Sequence, residues 1–158
     1  MVAYFISLYL IIFWLLVLLE KGIKPKKVKL KKFPLVTICV PAYNEEKTIE
    51  ETVYSILNLD YPIEKVEVII ANDGSKDKTK QVAERIIKEN PNRNIILINQ
   101  RNKGKGSVMN NALKIAKGEF FIPLDADSIV SPEALKVLLP HFYTKNVAAV
   151  LPMIKIQH

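Results

Sequence analysis

The sequence predicts an α/β domain with a mostly parallel sheet and helices on both faces, preceded by one transmembrane helix. Three observations lead to this prediction. The length of 158 residues suits a single domain, short apolar runs alternate with segments of helical periodicity from residue 35 onward, and the first 19 residues carry no charge. Strands that alternate with helices favour right-handed βαβ units, and such units build parallel sheets.

Residues 1–20 are the predicted transmembrane helix. Thirteen of the first 19 residues are Val, Ile, Leu or Phe, and about 20 helical residues cross ~30 Å of hydrocarbon. A cleaved signal peptide would carry positive charge before its apolar stretch, whereas seven lysines follow this one between Lys21 and Lys32. The positive-inside rule then predicts a single-pass membrane protein whose soluble domain is cytoplasmic.

Residues 21–34 are predicted to form a basic juxtamembrane linker. The chain has a net charge of +7, but from Phe33 onward 16 Lys and Arg accompany 15 Asp and Glu. The basic excess is therefore confined to the linker, which indicates contact with membrane lipid and argues against a nucleic-acid partner. The one cysteine, Cys39, lies in the apolar run LVTICV and is interpreted as a buried structural thiol.

The remaining residues, 35–158, are predicted to contain five strands and four helices. Apolar runs predict the strands at 35–40, 66–71, 94–99, 119–124 and 147–152. Apolar residues at helical spacing predict helices over 45–57, 78–88 and 107–116, and Ser131 followed by Pro132 and Glu133 predicts the start of a fourth. Parallel sheets bind ligands beyond the carboxyl ends of their strands. The loops after the first four strands are therefore the candidate site.

The first loop is PAYNEE, Pro41 to Glu46. Its proline is expected to end the strand, and the amides at the start of the next helix could face an anion. Tyr43 offers a flat face to a base or a sugar. The alternative is an ordinary turn in which Asn44 caps the helix.

The second loop is ANDGSKDKT, Ala71 to Thr79. At the strand tip, Asn72 or Asp73 could accept hydrogen bonds from a nucleobase or a ribose. The alternative needs no ligand, because Asp-Gly followed by Ser is good turn chemistry and Asp77 could cap the next helix.

The third loop, within Asn99 to Leu113, is a cationic turn ahead of a helix. It lacks the GxxxxGK[ST] pattern, and Gly104 and Gly106 provide only a GxG, so neither common nucleotide fingerprint is satisfied. Arg101, Lys103 and Lys105 could hold a diphosphate, and a solvated basic loop is the alternative.

The fourth loop places two carboxylates one residue apart, Asp125 and Asp127. Residues i and i+2 at a strand end point the same way, so both side chains are expected in one crevice. Hard carboxylate oxygens suit Mg²⁺ or Mn²⁺, and a cation shared by one or two carboxylates and substrate phosphates is a usual arrangement. The alternative is a solvated acidic turn.

Together the four segments resemble family 2 glycosyltransferases of the GT-A fold. The matching pieces are PAYNEE, NDGSKDKT, NKGKGSVMNNAL and LDADSIVSPEAL, in the family's order and at similar spacing. The resemblance implies inverting transfer of a sugar from a nucleoside-diphosphate sugar, assisted by a Mg²⁺ or Mn²⁺ cation. Residues 35–158 would then be a GT-A-like domain that binds the nucleotide sugar.

The resemblance also implies roles for individual residues. Asp127 would bind the divalent cation and Asp125 would face the nucleotide, together forming the DxD motif. Many relatives have two acids where this chain has Asn72 and Asp73. The implied substrate-binding residues are Pro41, Ala42, Tyr43, Glu45, Asn72, Asp73, Lys105 and Asp125.

The base that activates the acceptor is not assigned in this sequence. In the family it comes from a region after the fifth strand, and processive members add a QxxRW motif that this sequence does not contain. The domain is therefore expected to be incomplete at its carboxyl end, as a fragment, a truncated product or one half of a split enzyme.

Two alternatives to a catalytically active domain follow from the residues. The first is a non-catalytic nucleotide-binding half that needs a second chain to supply the acceptor site. The second is a sugar nucleotidyltransferase, which needs a Gly-rich, Arg-containing loop after the first strand. PAYNEE contains neither glycine nor arginine, so the second alternative is disfavoured.

Overall fold

The computed structural model describes residues 2–20, 30, 32–143 and 147–150. Within them, nine helices and strands follow one another along the chain: α1 Val2–Glu20, β1 Val36–Ala42, α2 Ile49–Leu57, β2 Val66–Asn72, α3 Thr79–Glu89, β3 Asn94–Asn99, α4 Lys105–Ile115, β4 Phe120–Pro123 and α5 Ala134–Leu138. Two short 3₁₀ helices, Ile63–Lys65 and Leu139–Tyr143, accompany them.

The four strands form one parallel sheet in the order β3-β2-β1-β4. Val36 to Ala42 of β1 pair in register with Val66 to Asn72 of β2, so these central strands end at the same level. Every residue of β1 and β2 is buried, whereas β3 and β4 are partly exposed. Full burial on both faces is typical of the central strands of a parallel sheet, and the prediction of an α/β domain with a parallel sheet is confirmed.

Helices cover both faces of the sheet, as predicted. Ile38 and Val40 of β1 belong to a core that also holds Ile49 of α2 and Ile86 of α3, while Leu135 of α5 joins the same face. The opposite face is smaller, with Cys39, Ile69 and Ala71 packed against Val108 and Ala112 of α4. Burying each such isoleucine or valine contributes roughly 1.5 to 3 kcal/mol.

Cys39 is a structural residue of the smaller core. Its side chain is fully buried and it is a free thiol. Burial raises the pKa of this thiol to about 11, so it stays protonated near neutral pH and is a poor nucleophile. This agrees with the interpretation made from the sequence.

β1 continues through Pro41 to Ala42, although its proline was expected to end it. Leu124 N donates to Cys39 O on the β4 side, and Asp73 N donates to Ala42 O on the β2 side. The backbone amide and carbonyl groups of successive residues in a strand point to opposite neighbouring strands. Those of Pro41 therefore point to the β4 side, where β4 has already ended at Pro123. A missing amide proton therefore costs no sheet hydrogen bond there.

The prediction of a single-pass membrane protein with a cytoplasmic domain is wrong. In the part of the chain that the structure describes, no helix has both the length and the apolar character that crossing a bilayer requires. The transmembrane assignment of residues 1–20 is corrected accordingly. Most of the basic linker predicted over 21–34, and the lipid contact inferred from it, lies outside the described residues.

Three predicted boundaries are also corrected. Residues 147–150 of the predicted fifth strand take no regular structure, and residues 151–152 lie outside the described range. Ala148 and Ala149 are exposed, so this apolar run does not mark a buried strand. The first and fourth predicted helices begin later than expected, at Ile49 and Ala134, because a turn precedes each of them.

Candidate functional site

A cavity of about 230 Å³ lies beyond the carboxyl ends of β1, β2 and β4. Four apolar residues, one tyrosine, four acids and one lysine line it. The lining residues are Pro41, Ala42, Tyr43, Glu45, Asp73, Lys105, Val108, Asp125, Ala126 and Asp127. All of the site residues that the resemblance implied are among them except Asn72, and Val108 and Ala126 were not predicted. Arg101 and Lys103, the other two cations of the third loop, do not line the cavity.

Five hydrogen bonds that each involve a side chain hold the first loop against the second. Asn44 adopts φ 59°, a left-handed conformation that asparagine tolerates better than most residues. It does not cap α2, which follows Thr48. The bonds run from Asn44 N to Ser75 Oγ (3.0 Å), Lys76 N to Asn44 Oδ1 (2.8 Å), Glu45 N to Thr79 Oγ1 (2.8 Å), Glu46 N to Asp77 Oδ2 (3.1 Å) and Lys78 N to Glu46 Oε2 (2.8 Å).

This pairing of loops positions the first loop over the cavity. Tyr43 is 41% exposed, so its ring is open to a ligand. Burial alone would raise the pKa of Asp77, but hydrogen bonds from the hydroxyl and amide of Thr79 and from the amide of Glu46 lower it below its ordinary value. Asp77 thus stays ionised. Its carboxylate accepts one hydrogen bond from the Thr79 amide at the start of α3 and another from the Glu46 amide, which holds the first loop.

Asn72 is buried and does not line the cavity. Its Nδ2 donates to Asn99 Oδ1 (2.8 Å), and its Oδ1 accepts from the amide (3.1 Å) and hydroxyl (2.6 Å) of Ser75. The side-chain amide therefore joins the tips of β2 and β3 and shapes the turn after β2. Its predicted contact with a substrate stays a prediction.

Asp73 anchors the third loop from the tip of β2. It is 4% exposed, and its carboxylate accepts hydrogen bonds from Gln100 Nε2 (2.6 Å), Lys103 N (2.9 Å) and Gly104 N (2.8 Å). Burial alone would raise the pKa of Asp73, but these three hydrogen bonds outweigh it and hold the pKa below its ordinary value. The carboxylate is thus ionised and faces a cavity while it fixes the adjacent cationic loop.

Gly74 makes the approach of the second and third loops possible. Its φ is +73°, and a Cβ at this position would lie 2.7 Å from Asn102 N and 3.1 Å from Gln100 O. Both contacts are with backbone atoms, which cannot swing away as a flexible side chain could. The glycine is required by conformation and by space.

Asp125 and Asp127 lie in a turn after β4, as predicted for the fourth loop, and β4 ends at Pro123. Ser128 N donates to Asp125 O (3.0 Å) and closes this turn. From α2, Thr52 Oγ1 donates to Ala126 O (2.8 Å). Both carboxylates reach the cavity because the turn, rather than strand alternation, directs them there.

The two carboxylates differ in their partners. Lys105 Nζ lies 2.5 Å from Asp125 Oδ1. Asp127 accepts a long hydrogen bond of 3.4 Å from Ser128 Oγ and, among the described residues, makes no salt bridge. Lys105 is also the first residue of α4, whose amino-terminal amides favour negative charge.

The donor set fits a divalent cation only in part. In the described ranges no group of three or more His, Cys, Asp or Glu residues could hold a metal ion. Two exposed carboxylates would have to be completed by water and by substrate oxygens, which is how Mg²⁺ is usually held at phosphate sites. The residues present therefore fit a cation that arrives with an anionic ligand.

Comparison with protein families identifies the domain. The family model described as "Glycosyl transferase family 2" matches residues 37–157. The chain belongs to glycosyltransferase family 2. The predicted family and the predicted enzyme class are thereby confirmed at the level of the family.

Individual family 2 relatives match this chain over part of their length. The chondroitin synthase of Escherichia coli is 37% identical over 123 residues, which cover 78% of this chain and 17% of the relative. The poly-beta-1,6-N-acetyl-D-glucosamine synthase of Staphylococcus aureus is 40% identical over 108 residues, 68% of this chain and 25% of the relative. The chain thus spans a quarter or less of the length of these relatives.

Solved structures of family 2 enzymes share the GT-A-like fold. A mannosyltransferase from Pyrobaculum calidifontis, in complex with GDP-Man and Mn²⁺, superposes with a TM-score of 0.72 at 30% identity, covering 80% of this chain and 36% of that one. Staphylococcus aureus TarS in complex with UDP-GlcNAc gives a TM-score of 0.58 at 36% identity, covering 64% and 29%.

Several residues that build the site were not predicted from the sequence. Gln100 joins Asp73 to α4 by accepting from Asn111 Nδ2 (2.6 Å), and Ser55 Oγ accepts from Val130 N (3.2 Å) beyond the acidic turn. Thr52 and Ser55 lie more than 70 positions from the turn that they hold. Polar residues on the face of a helix give no signal of such distant contacts.

Proposed function

We propose that this chain contains the donor-binding site of a family 2 glycosyltransferase that uses a nucleoside-diphosphate sugar and a divalent cation, Mg²⁺ or Mn²⁺. The observation that carries the proposal is the convergence of four separate loops on one cavity lined by Tyr43, Lys105 and two adjacent carboxylates. The complexes of the mannosyltransferase with GDP-Man and Mn²⁺ and of TarS with UDP-GlcNAc support this choice of ligand class.

Residues 35–158 are proposed as the nucleotide-sugar-binding domain. The first loop, Pro41 to Glu45, would line the nucleotide, with Tyr43 offering its ring to the base or the sugar. Asp73 would contribute one face of the same pocket while it holds the third loop in place. Asp127 would be the main ligand of the cation, and Asp125 would face the nucleotide.

The reaction proposed is inverting displacement at the anomeric carbon, with the nucleoside diphosphate as the leaving group. Negative charge develops on the departing oxygen as the glycosidic bond breaks. Lys105 lines the cavity and is the first residue of α4, and its ammonium, together with the first amides of that helix, would stabilise this charge. A bound divalent cation would supply further Lewis-acid stabilisation of the diphosphate.

Isothermal titration calorimetry on the 158-residue chain tests the class of ligand. We expect UDP or GDP to bind with an affinity at least about tenfold higher in Mn²⁺ than in EDTA. The reason is that the cation reduces the electrostatic repulsion between the two carboxylates and the diphosphate. Uridine and guanosine, which carry the same bases without phosphates, serve as controls for stacking alone and should bind much more weakly. Absence of binding by both diphosphates in Mn²⁺ would contradict the proposal.

A further inference from the structure

The paired acids of the cavity are not electrically equivalent. Two carboxylates one residue apart repel each other unless a positive charge compensates them. Lys105 supplies that charge to Asp125 alone, through the contact of its ammonium with Oδ1. Asp127 has no such partner among the residues that the structure describes.

Lys105 approaches Asp125 from a fixed point on the backbone. The Asp73 carboxylate accepts hydrogen bonds from the amides of Lys103 and Gly104, the two residues directly before Lys105. α4 begins at Lys105 itself, and Val108, one turn later, is fully buried. The backbone that carries the lysine is therefore held on both sides.

The side chains of this ion pair, in contrast, are open to solvent. Those of Lys105 and Asp125 are each 57% exposed. Ion pairs of this exposure are weak, because water screens the attraction and ordering two side chains has an entropic cost. The ammonium can therefore leave Asp125 with little loss whenever a better anion is present in the same cavity.

We propose that Lys105 is a displaceable counter-ion: it neutralises Asp125 while the cavity is empty and moves to the diphosphate when the donor and its cation bind. This inference rests on the proposed function. A divalent cation at Asp127 repels an ammonium held at Asp125, and the diphosphate offers that ammonium a more highly charged partner. Cation and donor then favour each other's binding, because each promotes the exchange of Lys105 from Asp125 to phosphate.

The proposal predicts effects of opposite sign for one substitution. In Lys105→Met, Mn²⁺ should bind the nucleotide-free protein about 2- to 5-fold more tightly, the size expected for removal of one exposed charge contact. The affinity for UDP or GDP in saturating Mn²⁺ should fall about tenfold, because a charged hydrogen bond to phosphate is lost. Electron paramagnetic resonance of free Mn²⁺ measures the first affinity, and calorimetry the second.

Two further variants separate the specific exchange from a general charge effect. Lys103→Met removes a lysine from the same loop whose side chain does not line the cavity, so its effect on Mn²⁺ affinity should be smaller than that of Lys105→Met. In an Asp125→Asn background, Lys105→Met should no longer raise the Mn²⁺ affinity, since the carboxylate for which the ammonium competes is gone.

The outcomes distinguish this inference from the proposed function. If the parent binds a nucleoside diphosphate with Mn²⁺ but Lys105→Met leaves the Mn²⁺ affinity of the nucleotide-free protein unchanged or lowers it, the counter-ion inference is wrong and the proposed function stands. An equal rise in Lys103→Met, or a full rise in the Asp125→Asn background, would also overturn it. If the parent binds neither diphosphate with Mn²⁺, both fail together.

Discussion

Asp127→Ala is expected to lower the Mn²⁺-dependent affinity for UDP or GDP by at least about 30-fold and to leave the fold intact. Asp127 lines the cavity, and within the described residues it makes no salt bridge, so its carboxylate is available to a cation. Residues that only orient metal ligands are worth about 10- to 100-fold in metal affinity, and a direct ligand should be worth no less. Calorimetry in Mn²⁺ and in EDTA measures the effect.

The affinity measured in EDTA shows whether the effect of the substitution depends on the cation. Because the substitution removes a cation ligand, the weak affinity in EDTA should stay the same or rise slightly as one negative charge leaves the cavity. Asp60→Ala is the matched control, since Asp60 is an exposed acid that pairs with Lys136 and does not line the cavity. Equal binding by Asp127→Ala and the parent in Mn²⁺ would refute the metal assignment.

Asp73→Ala is expected to reduce the free energy of unfolding by about 3 kcal/mol and to abolish nucleotide binding. The substitution removes the acceptor of three hydrogen bonds, two of them from the backbone amides of Lys103 and Gly104. Each hydrogen bond to a charged group contributes about 1.5 to 3 kcal/mol, partly offset by the cost of burying the carboxylate. Urea denaturation measures the stability, and Asp60→Ala again serves as the control.

The pH dependence of this loss distinguishes the carboxylate from a general packing defect. Burial raises the pKa of Asp73, but the hydrogen bonds lower it by more than burial raises it. Its pKa in the folded state therefore lies below the ordinary value of 3.8. A lowered pKa means that the stabilisation is fully present above the unfolded pKa and is lost as the pH falls through the folded value. The difference between the parent and Asp73→Ala should therefore be constant at pH 5 to 7 and shrink below about pH 3.8. A difference that persists unchanged in acid would contradict the role of the ionised carboxylate.

The parts of the fold that could be predicted are those that depend on local composition. β1 and β2 are buried on both faces because helices cover both sides of the sheet, and their largely apolar sequences made them recognisable as strands. The loops that line the cavity could be predicted because parallel strands bring their following loops to one edge, whereas most of the individual cavity residues followed only from the resemblance to family 2 glycosyltransferases. Residues 147–150 show the limit, since an apolar run alone does not supply a pairing partner.

The contacts that give the site its geometry could not be predicted in the same way. Thr52 holds the acidic turn from α2, and Gln100 links Asp73 to α4, across long separations in sequence. Asn44 was weighed as a helix cap, but its left-handed conformation and its bonds to the second loop depend on the tertiary arrangement. The convergence of Asp125 and Asp127 was predicted, although its cause is a turn and not strand alternation.

Paramagnetic broadening of backbone amide resonances by Mn²⁺ in the presence of UDP or GDP would locate the bound cation on the chain. The effect falls off steeply with distance, so only residues around the cation should lose signal. We expect broadening at Asp125 to Ser128 first, then at Ala42 to Glu45 and at Gly104 to Ser107, with α3 and the far ends of the strands unaffected. Broadening centred elsewhere, or none at these loops with both diphosphates, would contradict the proposed donor-binding site.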